Sequence, residues 1–139
     1  MLQPKPRPIL LGENSPMHSR LITNNLRHVG IPNELIVFSE SQSLLNFMTD
    51  RQPLPALIVL SRELPGFDST NLLHRLKSDV ATQRIPIVIM SNTENPSDIY
   101  RCYALGCNAY VVKPPGYRQA QETIRHLGQF FSVIHLPNE

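Results

Sequence analysis

Two short polar turns hold residues whose types could do chemistry: "GEN" (12–14) and "SRELPG" (61–66), each directly after an apolar run. Ser61 could attack phosphorus or a carbonyl, but a serine hydroxyl is not ionised near neutral pH and needs an adjacent base. Glu63 is the one acid in that turn, no histidine accompanies it, and "SRE" lacks the glycines of a nucleophile elbow. Glu13 and Asn14 offer one carboxylate and one amide, a thin set for a hard cation that usually takes one or two carboxylates together with phosphate oxygens. Arg62 reads either as a solvated surface residue or as extra positive charge at the turn. His18, His28, His74, His126 and His135 are scattered without the i, i+4 spacing of a metal site and read as surface residues. Cys102 and Cys107 have no second pair to complete a metal or disulfide framework, and read as small core residues. No glycine-rich phosphate loop is present. The expectation is therefore no catalytic residue, no metal site and no cofactor.

These turns act together only if the fold joins them. Five short runs rich in Ile, Val and Leu read as strands: 8–12, 34–38, 56–60, 85–90 and 109–112. The central ones are continuous rather than alternating, as in parallel strands buried on both faces. Helical spacing fills the gaps. In 15–30, Ser15 caps, Pro16 takes the first turn, Met17, Leu21, Leu26 and Val29 form a stripe, and Gly30 ends it. The next helix starts near Ser39 or Glu40 and turns Leu44, Leu45 and Met48 inward; the third, capped by Asp68, carries Leu72, Leu73 and Leu76. The fourth runs from Asn95 and Pro96 to Gly106, and the fifth spaces Tyr117, Ala120, Ile124, Leu127 and Phe131 along one face. Five βα units with right-handed crossovers predict an α/β fold, a doubly wound five-stranded parallel sheet in the flavodoxin-like order 2-1-3-4-5. Its functional crevice lies beyond the carboxyl ends of strands 1 and 3, where "GEN" and "SRELPG" stand.

Composition narrows the class further. A chain of 139 residues with 41% apolar content supports one core, hence one domain over 1–139, with a core of 7–131 and an apolar tail of 132–139. Thirteen basic against eleven acidic residues give no strong field, so neither nucleic acid nor a membrane surface is an expected partner. The apolar segment near the amino terminus is shorter than the ~7 residues of a signal peptide. No run approaches the ~18 apolar residues of a membrane span. A soluble, cytoplasmic protein is expected, consistent with two unpaired cysteines.

The ordered set "ILLGENSP" (9–16), "ALIVLSRELPGFD" (56–68), "IPIVIMSNT" (85–93) and "RCYALGCNAYVVKPP" (101–115) resembles the receiver domain of two-component response regulators over nearly the whole chain. The run "ALGCNAYVVKP" and the tail "QFFSVIHLP" (129–137) are most similar to small stand-alone receivers associated with phytochrome-type histidine kinases. The resemblance implies a phosphoryl group passed from a kinase histidine to an aspartate after strand 3. It also implies a Mg²⁺ held by that aspartate and an acidic pair after strand 1, and, apart from the metal, a lysine on strand 5 and a Ser or Thr on strand 4. The lysine falls on Lys113, the hydroxyl on Ser91 and the first acid on Glu13. Asn14 stands in place of the second acid and Ser61 in place of the phosphoacceptor. With Lys113 competing for Glu13, Mg²⁺ binding is not expected. What is expected is a degenerate pocket: a neutral cluster of Asn14, Ser61 and Ser91 beside a Glu13–Lys113 pair. Lys113–Pro114 matches a pair for which the resemblance implies a cis peptide.

For the same group the resemblance implies a twofold dimer through helix 4, strand 5 and helix 5, with Tyr100, Tyr103, Tyr110, Phe130, Phe131 and Ile134 on the shared face. Tyr110 matches an aromatic whose rotation reports activation, or is simply half-packed at a strand edge. The tail either meets a partner or folds back on its own domain. The implied partners are a histidine kinase or photoreceptor kinase and other receivers. The leading expectation is a non-catalytic signalling module, a pseudo-receiver. Two alternatives stay open: a phosphorelay receiver that accepts phosphate at Asp68 or Ser61, and a small-ligand sensor using the vacated pocket.

Overall fold

Pro8 and Pro86 each stand immediately before a strand, where a residue without an N–H interrupts nothing and still offers its carbonyl. Ala56 donates its N–H to Pro8 O (2.8 Å) and Ile58 to Pro86 O (2.9 Å), so both prolines open the sheet. The computed structural model describes residues 6–50 and 54–137. The first five residues of the basic amino-terminal stretch and the last two of the expected tail lie outside the described residues, as do 51–53. Strands and helices alternate as β1 (Ile9–Gly12), α1 (Pro16–His28), β2 (Leu35–Phe38), α2 (Ser41–Thr49), β3 (Leu57–Ser61), α3 (Ser69–Ser78), β4 (Ile87–Ser91), α4 (Pro96–Ala104), β5 (Ala109–Val112) and α5 (Tyr117–Val133). All four strand pairings are parallel and the order is β2-β1-β3-β4-β5, the doubly wound arrangement expected from the sequence.

Alternation along each strand divides the core between the two faces of the sheet. Leu10, Ile58, Leu60, Ile87 and Ile89 pack with Leu44, Leu72, Leu73, Leu76 and the buried thiol of Cys102. Ile9, Leu11, Leu57, Val59, Val88 and Met90 pack with Ile22 and Leu26 of α1 and Ile124 and Phe131 of α5. The central strands are buried throughout, which is why their sequences read as continuous apolar runs. Gly12 closes β1 where no side chain fits: a Cβ there would lie 2.9 Å from Leu60 Cδ1.

Helix starts follow the cap chemistry. Ser15 Oγ accepts from His18 N–H, Asn95 Oδ1 from Ser97 N–H and Asp68 Oδ1 from Thr70 N–H. Two strands run one residue beyond the apolar segments that announce them. Ser61 pairs opposite Met90 and Ser91 opposite Val112, because ladder bonds such as Arg62 N–H to Met90 O (2.8 Å) and Lys113 N–H to Ser91 O (2.7 Å) ignore side-chain polarity. Tyr117 departs from its expected apolar stripe: it opens α5 and is exposed beside the groove between α1 and α5.

The carboxyl end requires a correction. α5 continues to Val133, past the expected core limit at 131, and Ile134 and Leu136 then fold back onto the α1/α5 side of the core. Phe131 is 2% exposed. It lies on the same helix face as Ala120 and Ile124, so it anchors the domain. Phe131 and Ile134 therefore leave the expected partner face; Tyr100, Tyr103, Phe130 and Val133 stay exposed. Phe131→Ala is expected to lower unfolding stability by about 3–5 kcal/mol. Phe130→Ala, one residue away, is expected to cost no more than about 0.5 kcal/mol. Urea midpoints of the two variants read the difference.

Candidate functional site

β1 and β3 are neighbours, and the chain leaves them toward opposite faces, which opens a crevice at their carboxyl ends. Glu13, one residue past β1, is held by its own N–H to Phe38 O (2.9 Å) and turns its carboxylate inward, with Oε2 accepting from Ser15 N–H at 3.0 Å. Lys113, one residue past β5, reaches the same place. Its Nζ donates to Glu13 Oε1 and to Ser61 Oγ, both at 3.1 Å. Glu13, Ser61 and Lys113 are all buried. Ser61 is fixed further through its carbonyl, which accepts from the buried Ser69 Oγ at 3.0 Å.

The expected neutral cluster is not what forms. Asn14 is exposed and, among the described residues, makes none of the pocket's hydrogen bonds, because the chain turns out toward the α1 cap at Ser15. Ser91 does not bond Ser61; its Oγ donates to Glu63 Oε2 at 2.8 Å. Glu63 Oε1 accepts from Asn92 N–H at 3.2 Å and lies 3.6 Å from Lys113 Nζ. The pocket thus holds two carboxylates around one ammonium. A glutamate two residues after the strand can reach across to β4, and the "SRE" spacing was the signal for it.

The turn that carries Glu63 is clamped from α2. The buried Ser41 Oγ lies 2.9 Å from Pro65 O and 2.7 Å from Phe67 O. Gly66 between them has φ +104°, a left-handed conformation in which a Cβ would also meet Ser41 Oγ at 3.1 Å. Arg62 is neither merely solvated nor part of the pocket: it pairs with Asp98 of α4 at 3.1 Å, both side chains about a third exposed. Asp68 caps α3 through Thr70 and borders a groove with Arg101 and His74. The Thr70 backbone hydrogen bond holds its carboxyl below the usual range.

Tyr110, on β5, is half-buried, with Oη donating to Thr93 O at 2.9 Å, while its N–H donates to Tyr103 Oη at 3.1 Å. The Lys113–Pro114 peptide is trans, as are all described peptides; the expected cis form is not present, and trans is the ordinary preference for X–Pro by about 0.5–1 kcal/mol. His18 is a further correction: it is half-buried on α1, its Nδ1 enclosed without a partner, and it senses Lys113, Glu13 and Glu63. Burial first, then the Lys113 ammonium, lowers its pKa from 6.5. The two thiols are poor nucleophiles, with burial pushing Cys107 up to about 11.

The response regulator receiver domain model matches residues 9–125. The chain belongs to the response regulator receiver family. Response regulator Rcp1 of Synechocystis is 28% identical over 138 residues, covering 95% of this chain and 94% of the relative. The Mn²⁺-bound crystal structure of Rcp1 superposes with a TM-score of 0.88, covering 95% and 99% of the two chains. A receiver domain from Rhodospirillum rubrum is 36% identical, with a TM-score of 0.85 and coverage of 94% and 96%. The phosphorylated cyanobacterial phytochrome response regulator RcpA is 28% identical, with a TM-score of 0.83 and coverage of 94% and 98%. The receiver is thus a module of two-component signalling rather than a conventional enzyme. Among its described residues no helix is long and apolar enough to cross a membrane.

Removing the ammonium from this receiver's pocket leaves Glu13 buried without a counter-ion. Lys113→Met is expected to cost about 3–5 kcal/mol in chemical denaturation, and adding Glu13→Gln is expected to recover part of it. His18 has a folded pKa below its unfolded value, so its contribution is complete above pH 6.5 and falls as pH drops toward the folded value. Urea midpoints between neutral and mildly acidic pH are expected to show that loss in the parent and less of it in His18→Gln.

Proposed function

We propose that this receiver is a non-catalytic signalling module, a pseudo-receiver in which the chemistry of phosphoaspartate has been replaced by a fixed hydrogen-bonded pocket. The observation that carries this reading is the 3.1 Å bond from Lys113 Nζ to Ser61 Oγ. An ammonium donating to a hydroxyl oxygen withdraws electron density from the atom that would attack phosphorus. The nearest carboxylates are engaged elsewhere, Glu13 with Lys113 and Ser15, and Glu63 with Ser91 and Asn92. Ser61 therefore has no base in position to take its proton. Asp68 is spent on the α3 cap and is no substitute acceptor.

Mg²⁺ does not fit the same residues. Both oxygens of Glu13 already have partners, Lys113 stands between the two carboxylates, and Asn14 adds no charge. Rcp1 has a Mn²⁺-bound form, but a divalent ion here would have to displace an ammonium that the fold buries. No step is assigned to a metal.

Signalling then passes through contacts. The relatives described as phytochrome response regulators support a histidine kinase or photoreceptor kinase as a partner class, with other receivers as a second. Tyr100 and Tyr103 of α4 and Phe130 and Val133 of α5 remain exposed and support a homodimer through α4, β5 and α5. Exposure of purified protein to acetyl phosphate and Mg²⁺, read by intact mass and ¹⁵N spectra, is expected to leave both unchanged. Ser61→Asp combined with Asn14→Asp is expected to restore a response. A phosphoryl adduct on the parent chain would overturn the reading.

A further inference from the structure

α4 ends in a tight reverse turn that brings two sulfurs together. Gly106 has φ +105°, the left-handed conformation that stops a helix, and it donates its N–H to Tyr103 O at 3.0 Å. The next N–H, that of Cys107, reaches back to Cys102 O at 3.1 Å. Those two bonds together define a helix ending in which the residues joined by the outer bond, here Cys102 and Cys107, also pack side chain on side chain. Both lie in the same apolar layer, Cys102 fully buried and Cys107 6% exposed, and both thiols are free. Burial first, and then the neighbouring Cys102 sulfur, push the Cys107 thiol up to about 11; an influence of one sulfur on the other falls off with distance. A backbone bond of this kind leaves the two Cα atoms about 5–6 Å apart, inside the ~4.4–6.8 Å that a disulfide spans.

We propose that Cys102 and Cys107 form a reversible intramolecular disulfide, a redox modification site at the carboxyl end of α4, with a small disulfide of the glutathione type as the oxidant. The site is separate from the Lys113 pocket and does not depend on whether Ser61 is inert. The Cys107 thiolate attacks one sulfur of the oxidant and expels the first glutathione thiolate; the Cys102 thiolate then attacks the Cys107 sulfur of that mixed disulfide and expels the second. The protein loses two electrons and two protons, and two glutathione thiols gain them. Cys107 leads because it reaches solvent and Cys102 does not. Its raised pKa leaves little thiolate at neutral pH, so the first step is slow. Once formed, the bond ties the end of α4 to the residue before Asn108, which is itself fixed by its N–H to Ile87 O at 2.8 Å and by Lys77 Nζ on its Oδ1 at 2.9 Å. The cross-link lies next to Tyr103, whose Oη accepts from Tyr110 N–H at 3.1 Å, so it stiffens the exposed α4 face from within.

The test is incubation of the folded protein to equilibrium with graded ratios of oxidised to reduced glutathione, followed by an acid quench, alkylation and intact mass. The parent is expected to lose two hydrogens and take up no alkyl group, with the change confined to the tryptic peptide 102–118, which holds both cysteines. Cys102→Ala is expected to stop at a mixed disulfide on Cys107, and Cys107→Ala to stay reduced. Because the fold holds the two sulfurs together, half-oxidation of the folded parent is expected at a ratio at least about tenfold lower than in denaturing urea. Amide hydrogen exchange at Leu105, Gly106 and Cys107 is expected to slow at least about tenfold in the oxidised form. No oxidation of the folded parent at any ratio, equal midpoints with and without urea, glutathione retained on both cysteines, or linkage only between chains overturns the proposal.

Discussion

The buried ammonium of Lys113 ties the ends of three strands together. It takes Glu13 from β1 and Ser61 from β3 as hydrogen-bond partners while its own backbone N–H closes the ladder to Ser91 of β4. Carrying that charge into the interior costs several kcal/mol before any partner is counted. Each partner must therefore be held in place by something other than Lys113. Glu13 is held by Phe38 O and Ser15 N–H, Ser61 by the sheet and Ser69, and the turn carrying Glu63 by Ser41. The apolar layers beneath do not specify this geometry; they set the strand spacing on which it depends.

That arrangement divides the molecule into a rigid part and an adjustable one. The Glu13–Lys113–Ser61 triangle is enclosed, and any movement of it would leave a charge or hydroxyl unpaired in the core. The Glu63–Ser91–Thr93–Tyr110 series runs from a partly solvated carboxylate to a half-buried phenol at the edge strand, where rearrangement leaves groups that water can satisfy. A module that signals through contacts needs an element with two arrangements of similar energy. Only the second series has the exposure for it. Tyr103, whose hydroxyl accepts from the Tyr110 backbone, continues it to the surface of α4.

How much of this the sequence discloses depends on whether a local rule or a tertiary contact decides. The strands, the helix caps at Ser15, Asp68 and Asn95, and the sheet order follow from apolar runs, cap chemistry and crossover handedness, and all are found. The Glu13–Lys113 pair was legible through the family resemblance, which set both residues in one pocket although β1 and β5 are not neighbours in the sheet. Asn14 was misplaced, and Glu63 was given no partner, for a shared reason. Side-chain direction just past a strand depends on which way the chain leaves the sheet, and neither periodicity nor composition encodes that. Phe131 was assigned both to the α5 stripe and to the partner face, because an apolar run at a carboxyl end looks the same whether it meets a partner or its own core. The α5 face shared with Ala120 and Ile124 decides for the core.

The serine at position 61 makes sense as a matter of charge. With Ser61 the pocket sets two carboxylates, Glu13 and Glu63, against one ammonium. An aspartate at that position would add a third at the buried centre, within reach of Lys113 and beside Glu13, and without a divalent cation the repulsion would force protonation or eject a side chain. Glu63 is the more exposed of the two existing acids and so the one to leave. The hydroxyl at 61 and the glutamate at 63 are therefore best understood as coupled: the first removes a negative charge from the strand end, and the second supplies one that the Ser91 hydroxyl and Asn92 amide would otherwise lack.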